Sequence, residues 1–470
     1  MKKSKWMFFR SLILCLILVL IPITPVSAAG TGFTTTITYQ NVGLDVAHVT
    51  VLYYPEGQTT PISISRPDLP VGASATISIG NLETTPASFR GSAVIKSDVE
   101  VAVLMTQIPT TVTIKARPMA GAASQGTPNI WLLAIHKVAG ETSLLSVQNL
   151  DNSPADIKFT FHGGTTPVSI TKNNIPTGGS AYINLFDVSG LADGYSGAVF
   201  VESVRSGGST PGKIAGVYLT SLGTATDGNA TESQSNAGSK IFMPVAMCTY
   251  LGGMSSTYYV FNTDPTQAAT VTVTYNTLKL ETRVLPSLTG WYFSACKPSG
   301  TAIGYYGYAK ITSNGPLILA KALIKNKGVS ATYVGQSFGA SKLAMPYANY
   351  SNANFTNGTR VRTTISVMNL GGNLAASAIK VKFYGKAGNL VGTVALPALA
   401  TGVRVDTYAA KIGTAGYEFG YYSDGSTGGS AIIEGPAGSS LMAVGMVMSV
   451  ASSGVYSGET YNGLPPISLP

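Results

Sequence analysis

One pattern recurs four times along the chain. Asn41, Asn149, Asn262 and Asn369 each close a strand-like run (ITYQN, LLSVQN, TYYVFN and TTISVMN), and a second alternating run follows each of them (HVTVLYY, IKFTFH, TVTVTY and IKVKFY). The asparagines step by 108, 113 and 107 residues (149−41, 262−149, 369−262). A fixed period defines the folding unit, and one this long is a unit able to bury its own core, unlike a solenoid turn. The expectation is four units arranged as beads on a string.

Other landmarks keep the same phase. An apolar residue precedes proline at Leu69-Pro70, Ile175-Pro176, Leu285-Pro286 and Leu396-Pro397, with a glycine shortly after at Gly72, Gly178, Gly290 and Gly402. Later in each unit Gly91, Gly197, Gly307 and Gly429 open a further apolar run, and a last run closes each copy. Within a unit the period is two, as in Thr270-Val271-Thr272-Val273-Thr274-Tyr275. Alternation of β-branched and aromatic residues, cut by Gly, Pro, Asn and Ser, marks half-buried strands. No apolar run shows helical spacing with caps. The fold class predicted is all-β, with four tandem antiparallel β-sandwich, immunoglobulin-like domains. Polar, Gly/Ser-rich connectors at 118–129, 222–240 and 335–342 place the repeats at 29–122, 126–226, 240–335 and 342–453, followed by a tail at 456–470.

Residues 1–28 have the form of a secretory signal. Lys2, Lys3, Lys5 and Arg10 precede the apolar run SLILCLILVLI, and Val26-Ser27-Ala28 gives a small-residue cleavage site. Cys15 follows Leu14, which does not suit a lipid anchor. No second apolar stretch, sortase signal or hydrophobic tail is present, so the expected product is secreted, has no membrane span, and is soluble or held by other molecules. Removing the signal lowers the formal charge from +9 to +5 (9−4). With no basic cluster interleaved with aromatics, nucleic acid is not an expected partner.

Cys248 and Cys296 lie in the third repeat, and in an exported chain they form a natural disulfide pair; the alternative is two separate buried thiols. The three histidines, His48, His136 and His162, fall in strand-like runs and form no ligand pair. Gly335-Gln336-Ser337-Phe338-Gly339 matches a nucleophile elbow, but an Ala/Ser-rich connector follows it and no histidine lies downstream. Gly207 to Lys213 resembles a phosphate loop, except that Ile214 stands where Ser or Thr should hold magnesium. Asp151-Asn152 with Asp156, and Asp227-Gly228-Asn229, offer too few oxygens for calcium. No catalytic residue, metal site or cofactor is expected. Trp131, Trp291, Tyr305 and Tyr306 are candidate platforms for stacking on sugar rings, although aromatics are equally normal in sandwich cores and interfaces.

A charged fraction of 11% with 53 glycines and 24 tyrosines is unusual for a cytosolic enzyme. With the fourfold architecture, it resembles bacterial extracellular and surface proteins built from tandem immunoglobulin-like repeats. That resemblance implies a non-catalytic structural role in a surface layer, filament or adhesive stalk, with self-association or other surface components as partners. The alternative is an extracellular polysaccharide-binding protein.

The copies differ at their beginnings. Repeats two to four open with an apolar segment (Ile130-Trp131-Leu132-Leu133-Ala134, Ile241 to Ala246, Leu343 to Ala348), whereas repeat one has none after Ala29. The tail, SGETYNGLPPISLP, copies the order seen between repeats, a polar linker followed by Leu464-Pro465-Pro466-Ile467. These four residues are candidate strand donors to the empty edge of repeat one in a neighbouring molecule, which would give head-to-tail polymers. The alternative is a tail that packs on repeat four or stays disordered, with a shorter sheet in repeat one.

Overall fold

The alternating runs become strands because each places one row of apolar side chains on a core and the other row toward solvent. Val271, Val273 and Tyr275 are buried, for example, while Thr270, Thr272 and Thr274 are half-exposed. The computed structural model describes residues 33–79, 89–109, 119–121, 126–138, 141–164, 166–222, 228–251, 253–276, 279–296, 303–326, 329–351, 359–423, 427–451 and 456–465. The expected signal at 1–28, Asp227, Pro466 and Ile467 lie outside the described residues.

The architecture is all-β, and repeat three displays its plan. An opening strand (Lys240–Cys248) is followed by the corner strand that ends on the landmark asparagine (Ser255–Asn262). The third to seventh strands are Ala269–Tyr275, Lys279–Leu285, Gly290–Ser294, Tyr305–Ser313 and Ile318–Asn326, and an eighth, axial strand is Val329–Val334. One antiparallel sheet runs opening–sixth–third–fourth and the other fifth–corner–seventh–axial. The core lies between them and includes Ile241, Val260, Val273, Phe293, Ile311 and Ala320.

Repeat four keeps both orders, with an opening strand at Lys342–Met345, a sixth strand at Gly429–Glu434 and an axial strand at Tyr456–Asn462, and adds the short strands Tyr350–Ser351 and Glu418–Phe419 to its second sheet. In repeat two the opening strand (Asn129–Val138) forms a hairpin with the corner strand (Glu141–Asn149), which joins the two sheets into one of eight strands. Repeat one keeps the fifth–corner–seventh–axial sheet, but its other sheet has only three strands among the described residues, fourth–third–sixth. Its sixth strand, Gly91–Ser97, is therefore an edge.

The connectors differ from the exposed linkers predicted. Axial strands lie in or beside them at Met119–Gly121, Gly228–Glu232 and Val329–Val334, and a fourth lies in the tail at Tyr456–Asn462. The axial strands of repeats two and four lie beyond the expected limits of 226 and 453. Residues 456–462 are thus the eighth strand of repeat four, paired with its seventh strand from Val444↔Asn462 to Val450↔Tyr456. Nor are the repeats separate beads. The four axial strands lie against one another in sequence, and the last packs back against the first, so the repeats close into a ring.

Candidate functional site

The four asparagines are the smallest unit of this arrangement, and all four are 0% exposed. Each side-chain oxygen accepts the amide two residues on, from Gly43, Asp151, Asp264 and Gly371, at 2.9–3.0 Å. Each side-chain NH2 donates to two kinds of carbonyl. One lies in the turn that follows, on Asp45, Ser153, Gln267 or Gly372. The other ends the fourth strand or the loop after it, on Leu69, Ile175, Leu285 or Leu399. A short amide is the one side chain that both donates and accepts at this range, which explains why the pattern demands Asn.

This geometry corrects two landmarks. In repeat four the residue facing the asparagine is Leu399, not Leu396 before Pro397. In repeat three the turn position held by Gly72, Gly178 and Gly402 (φ +76°, +75° and +76°) belongs to Leu288 at φ +51°, not to Gly290. The equivalence follows from the next residue, whose carbonyl accepts the asparagine's own amide: Ala73, Gly179, Thr289 and Val403. We expect Asn149→Ala to destabilise the protein by about 3 kcal/mol, since three hydrogen bonds are lost around a buried site. Asn149→Asp should cost more, because a carboxylate would then face the carbonyls of Ser153 and Ile175; urea unfolding of the two variants checks the order.

The corner presents its turn to the preceding repeat, and there the interfaces form. Between repeats one and two, the Tyr54 ring covers Gly178, leaving no room for a Cβ. Ser92 Oγ donates to the Gly178 carbonyl at 2.6 Å, and Gln148 Nε2 of repeat two donates to the same carbonyl at 2.9 Å and across to the Ala93 carbonyl of repeat one at 3.5 Å. Between repeats four and one the same contact recurs: the Tyr384 ring covers Gly72, and Ser430 Oγ donates to the Gly72 carbonyl at 3.1 Å. Lys342 Nζ adds a bond to the Val42 carbonyl at 2.6 Å. Between repeats three and four, Phe242 faces Gly402, and Arg404 donates to the carbonyls of Pro244 (2.8 Å) and Gly307 (3.0 Å) while lying 4.0 Å from the centre of the Tyr306 ring.

The interface between repeats two and three has an apolar cluster at its turn. Leu288 fills the turn position with a side chain and joins Leu133, Ala198, Phe261 and Leu319. Beside it His136 Nε2 lies 3.2 Å from Tyr292 Oη, and the Lys321 ammonium sits 4.5 Å from the centre of the Tyr218 ring. Burial, followed by the charges of Lys321 and Lys325, lowers the His136 pKa to about 4. Its depressed value means that the folded state holds the neutral ring, so its contribution is complete above about pH 6.5 and is lost as pH falls from there toward 4. We expect about 3 kcal/mol to be lost across that window. Denaturant midpoints at pH 7.5 and 4.5, for the native chain and for His136→Gln, should show the loss shrinking in the variant.

Between successive repeats the connecting chain makes one recurrent bridge. Gln234 exchanges two backbone hydrogen bonds with Trp131 of repeat two's opening strand, and Gln336 does the same with Phe242 of repeat three's. Leu464 makes the equivalent pair with Ala344 of repeat four's opening strand, at 2.7 and 3.0 Å. It is 8% exposed and clusters with Val42 and Ala102 of repeat one. The tail therefore does between repeats four and one what the linkers do elsewhere. This corrects the strand-donor expectation, because Leu464 is engaged within its own chain, as is the strand before it. Leu464 takes the position that Gln336 holds between repeats three and four. Pro465 is exposed.

Around the axis buried polar groups pair among apolar residues such as Met119 and Val334. Thr231 and Thr332 hydroxyls are 2.8 Å apart, and Asn462 accepts from the Val334 amide and donates to its carbonyl at 3.1 and 2.8 Å. The axial strand Gly228–Glu232 was not announced by its residue pattern, because it lies in a segment of linker-like composition.

The other candidates are scattered. Cys248 and Cys296 form a disulfide with Cα atoms 4.9 Å apart. Trp131 is packed in the second interface against His162, Phe200 and Phe261, and Tyr306 is stacked on Tyr250 beneath Arg404. Tyr305 is half-buried against the repeat-three core, and burial pushes both tyrosines' pKa up to about 12. Trp291 is 40% exposed, but the Arg283 guanidinium lies 3.9 Å from the centre of its ring. These four aromatics do not form a common platform.

His48 sits on the surface beside Asp98, whose hydrogen bond raises its pKa. Asp151 is buried against Arg205, and Asp156 accepts from Asn174 N and Ser206 Oγ. Gln336 of the elbow-like sequence is one of the bridging residues just described. Among the described residues no three His, Cys, Asp or Glu side chains converge as a metal site. No helix among them is long and apolar enough to cross a membrane.

No family model and no curated protein matches the chain. A solved structure, described as a tetra-tandem repeat in the extending region of a large adhesion protein, aligns over 93% of this chain and 96% of its own. The identity is 11% and the TM-score 0.12, too low to support an inference about fold or function.

Proposed function

We propose that this chain is an exported, non-catalytic structural protein of the cell surface, which serves as a pre-closed ring within a surface layer or filament. The observation that carries the reading is the repeated interface. The contact joining repeat one to repeat two recurs between repeats four and one, so the polar and aromatic side chains act to hold a closed body together. Among the described residues they do not converge on an open cleft of the kind that catalysis or small-ligand binding uses. A closed ring suits a rigid building block better than an extensible stalk.

The test has two parts. N-terminal sequencing of the protein recovered from medium and envelope should give a chain beginning at Ala29. Electron microscopy of that protein should show compact rings, single or in contact. Extended four-bead strings, or a protein retained in the cytoplasm with its first residues intact, would defeat the proposal.

A further inference from the structure

We propose that the edge of Gly91–Ser97 in repeat one is a binding site for an extended, apolar strand of a partner polypeptide. The ligand's chemistry is written in the other three repeats, where the same edge is occupied. In repeat two, Glu202, Val201, Phe200 and Val199 pair with Asn129, Ile130, Trp131 and Leu132. In repeat three, Thr312, Ile311, Lys310 and Ala309 pair with Lys240, Ile241, Phe242 and Met243. In repeat four, Glu434, Ile433, Ile432 and Ala431 pair with Lys342, Leu343, Ala344 and Met345.

Counted from the glycine that opens each sixth strand, the matching residues of repeat one are Lys96, Ile95, Val94 and Ala93. These four have no strand partner on that side among the described residues. Their register with the third strand is otherwise the same, Tyr53↔Ala93 matching Phe383↔Ala431.

Burial records the difference. The inward residues of the occupied edges, Val199 and Val201, Ala309 and Ile311, Ala431 and Ile433, are all 0% exposed. Ala93 and Ile95 are half-exposed and sit at the margin of the repeat-one core. Strand addition at such an edge supplies main-chain hydrogen bonds, and alternate side chains fill the gap in the core. The occupant is defined accordingly. It runs antiparallel to Gly91–Ser97, carries a polar residue and then apolar residues at the second and fourth places, and puts its third residue toward the Gly178 turn of repeat two. The fourth places filled elsewhere by Leu132, Met243 and Met345 call for a long, unbranched or γ-branched side chain.

This inference rests on the export reading in one respect, because residues 18–21, Leu-Val-Leu-Ile before Pro22, share the apolar pattern that precedes Pro244 and Pro346. The test uses a peptide with the sequence of residues 240–248 carrying Cys248→Ser, added to exported protein whose N-terminus has been sequenced. We expect saturable binding and new hydrogen-exchange protection at the amides of Ala93 and Ile95, which alternate with the Val94 and Lys96 amides directed to the third strand. A peptide with Met243→Asp should bind about tenfold more weakly or worse, since it would bury a charge; the variant is in the peptide, so the protein's folding is not at stake. Absence of saturable binding, protection confined to another edge, or equal binding of the two peptides overturns the proposal. So does an exported protein that retains residues 1–28 and binds the peptide only after their removal, for then the occupant is the chain's own segment. N-terminal sequencing alone reports on export, so the two readings fail separately.

Discussion

Removal of residues 456–470 is expected to destabilise repeat four and open the ring, and not merely to alter how molecules associate. Tyr461 is 1% exposed and donates its hydroxyl to the Tyr347 carbonyl, Asn462 clamps Val334 of repeat three, and Leu464 bridges Ala344 and packs on repeat one. Loss of one buried aromatic and one buried leucine costs more than about 5 kcal/mol at the values typical of cores. Leu464→Asp isolates the ring-closing part, at about 3 kcal/mol, because repeat four keeps its eighth strand while a charge is placed between Val42 and Ala102. Urea unfolding followed by limited proteolysis measures both. A truncated chain that unfolds at the same urea concentration as the intact one would refute this account of the tail.

Reduction of the disulfide should cost repeat three about 4 kcal/mol, the chain-entropy value for a loop of its length. The bond spans 48 residues and ties the end of the opening strand, in one sheet, to Cys296, shortly after the fifth strand ends at Ser294, in the other. It therefore staples the two layers at their rim. Denaturation with and without reductant, and of Cys248→Ser/Cys296→Ser, should show matching losses, with amide exchange rising first in residues 240–248 and 290–296. Equal stability of the oxidised and reduced protein would contradict this.

Much of the fold was legible because the signals are local. Strand alternation depends on neighbouring residues, and the corner asparagine must satisfy an amide two residues away, so both recur visibly in the sequence. The landmarks slipped where physics allowed a substitute. Leu288 adopts the left-handed turn that glycine takes in three repeats, and Leu399 offers the carbonyl expected from Leu396. The axial strands Gly228–Glu232 and Tyr456–Asn462 were hidden because strands rich in small and polar residues, whose Thr231 and Asn462 pair through a hydroxyl and an amide, have the composition of a linker. Trp131 and Tyr306 were legible as aromatics but not as interface residues, since their neighbours Phe261 and Arg404 belong to the next repeat.

The sequence alone determined the repeat, its strands and its asparagine corner. Each of these follows from residues close in the chain, whose pattern is set by pleat and turn geometry. Only the tertiary structure decided that the repeats close on themselves and that the tail belongs inside the ring. Closure depends on the rotation accumulated from one repeat to the next, and it is held by contacts such as Lys342 with Val42 and Ser430 with Gly72, 300 and 358 residues apart. No local pattern encodes a sum of rotations.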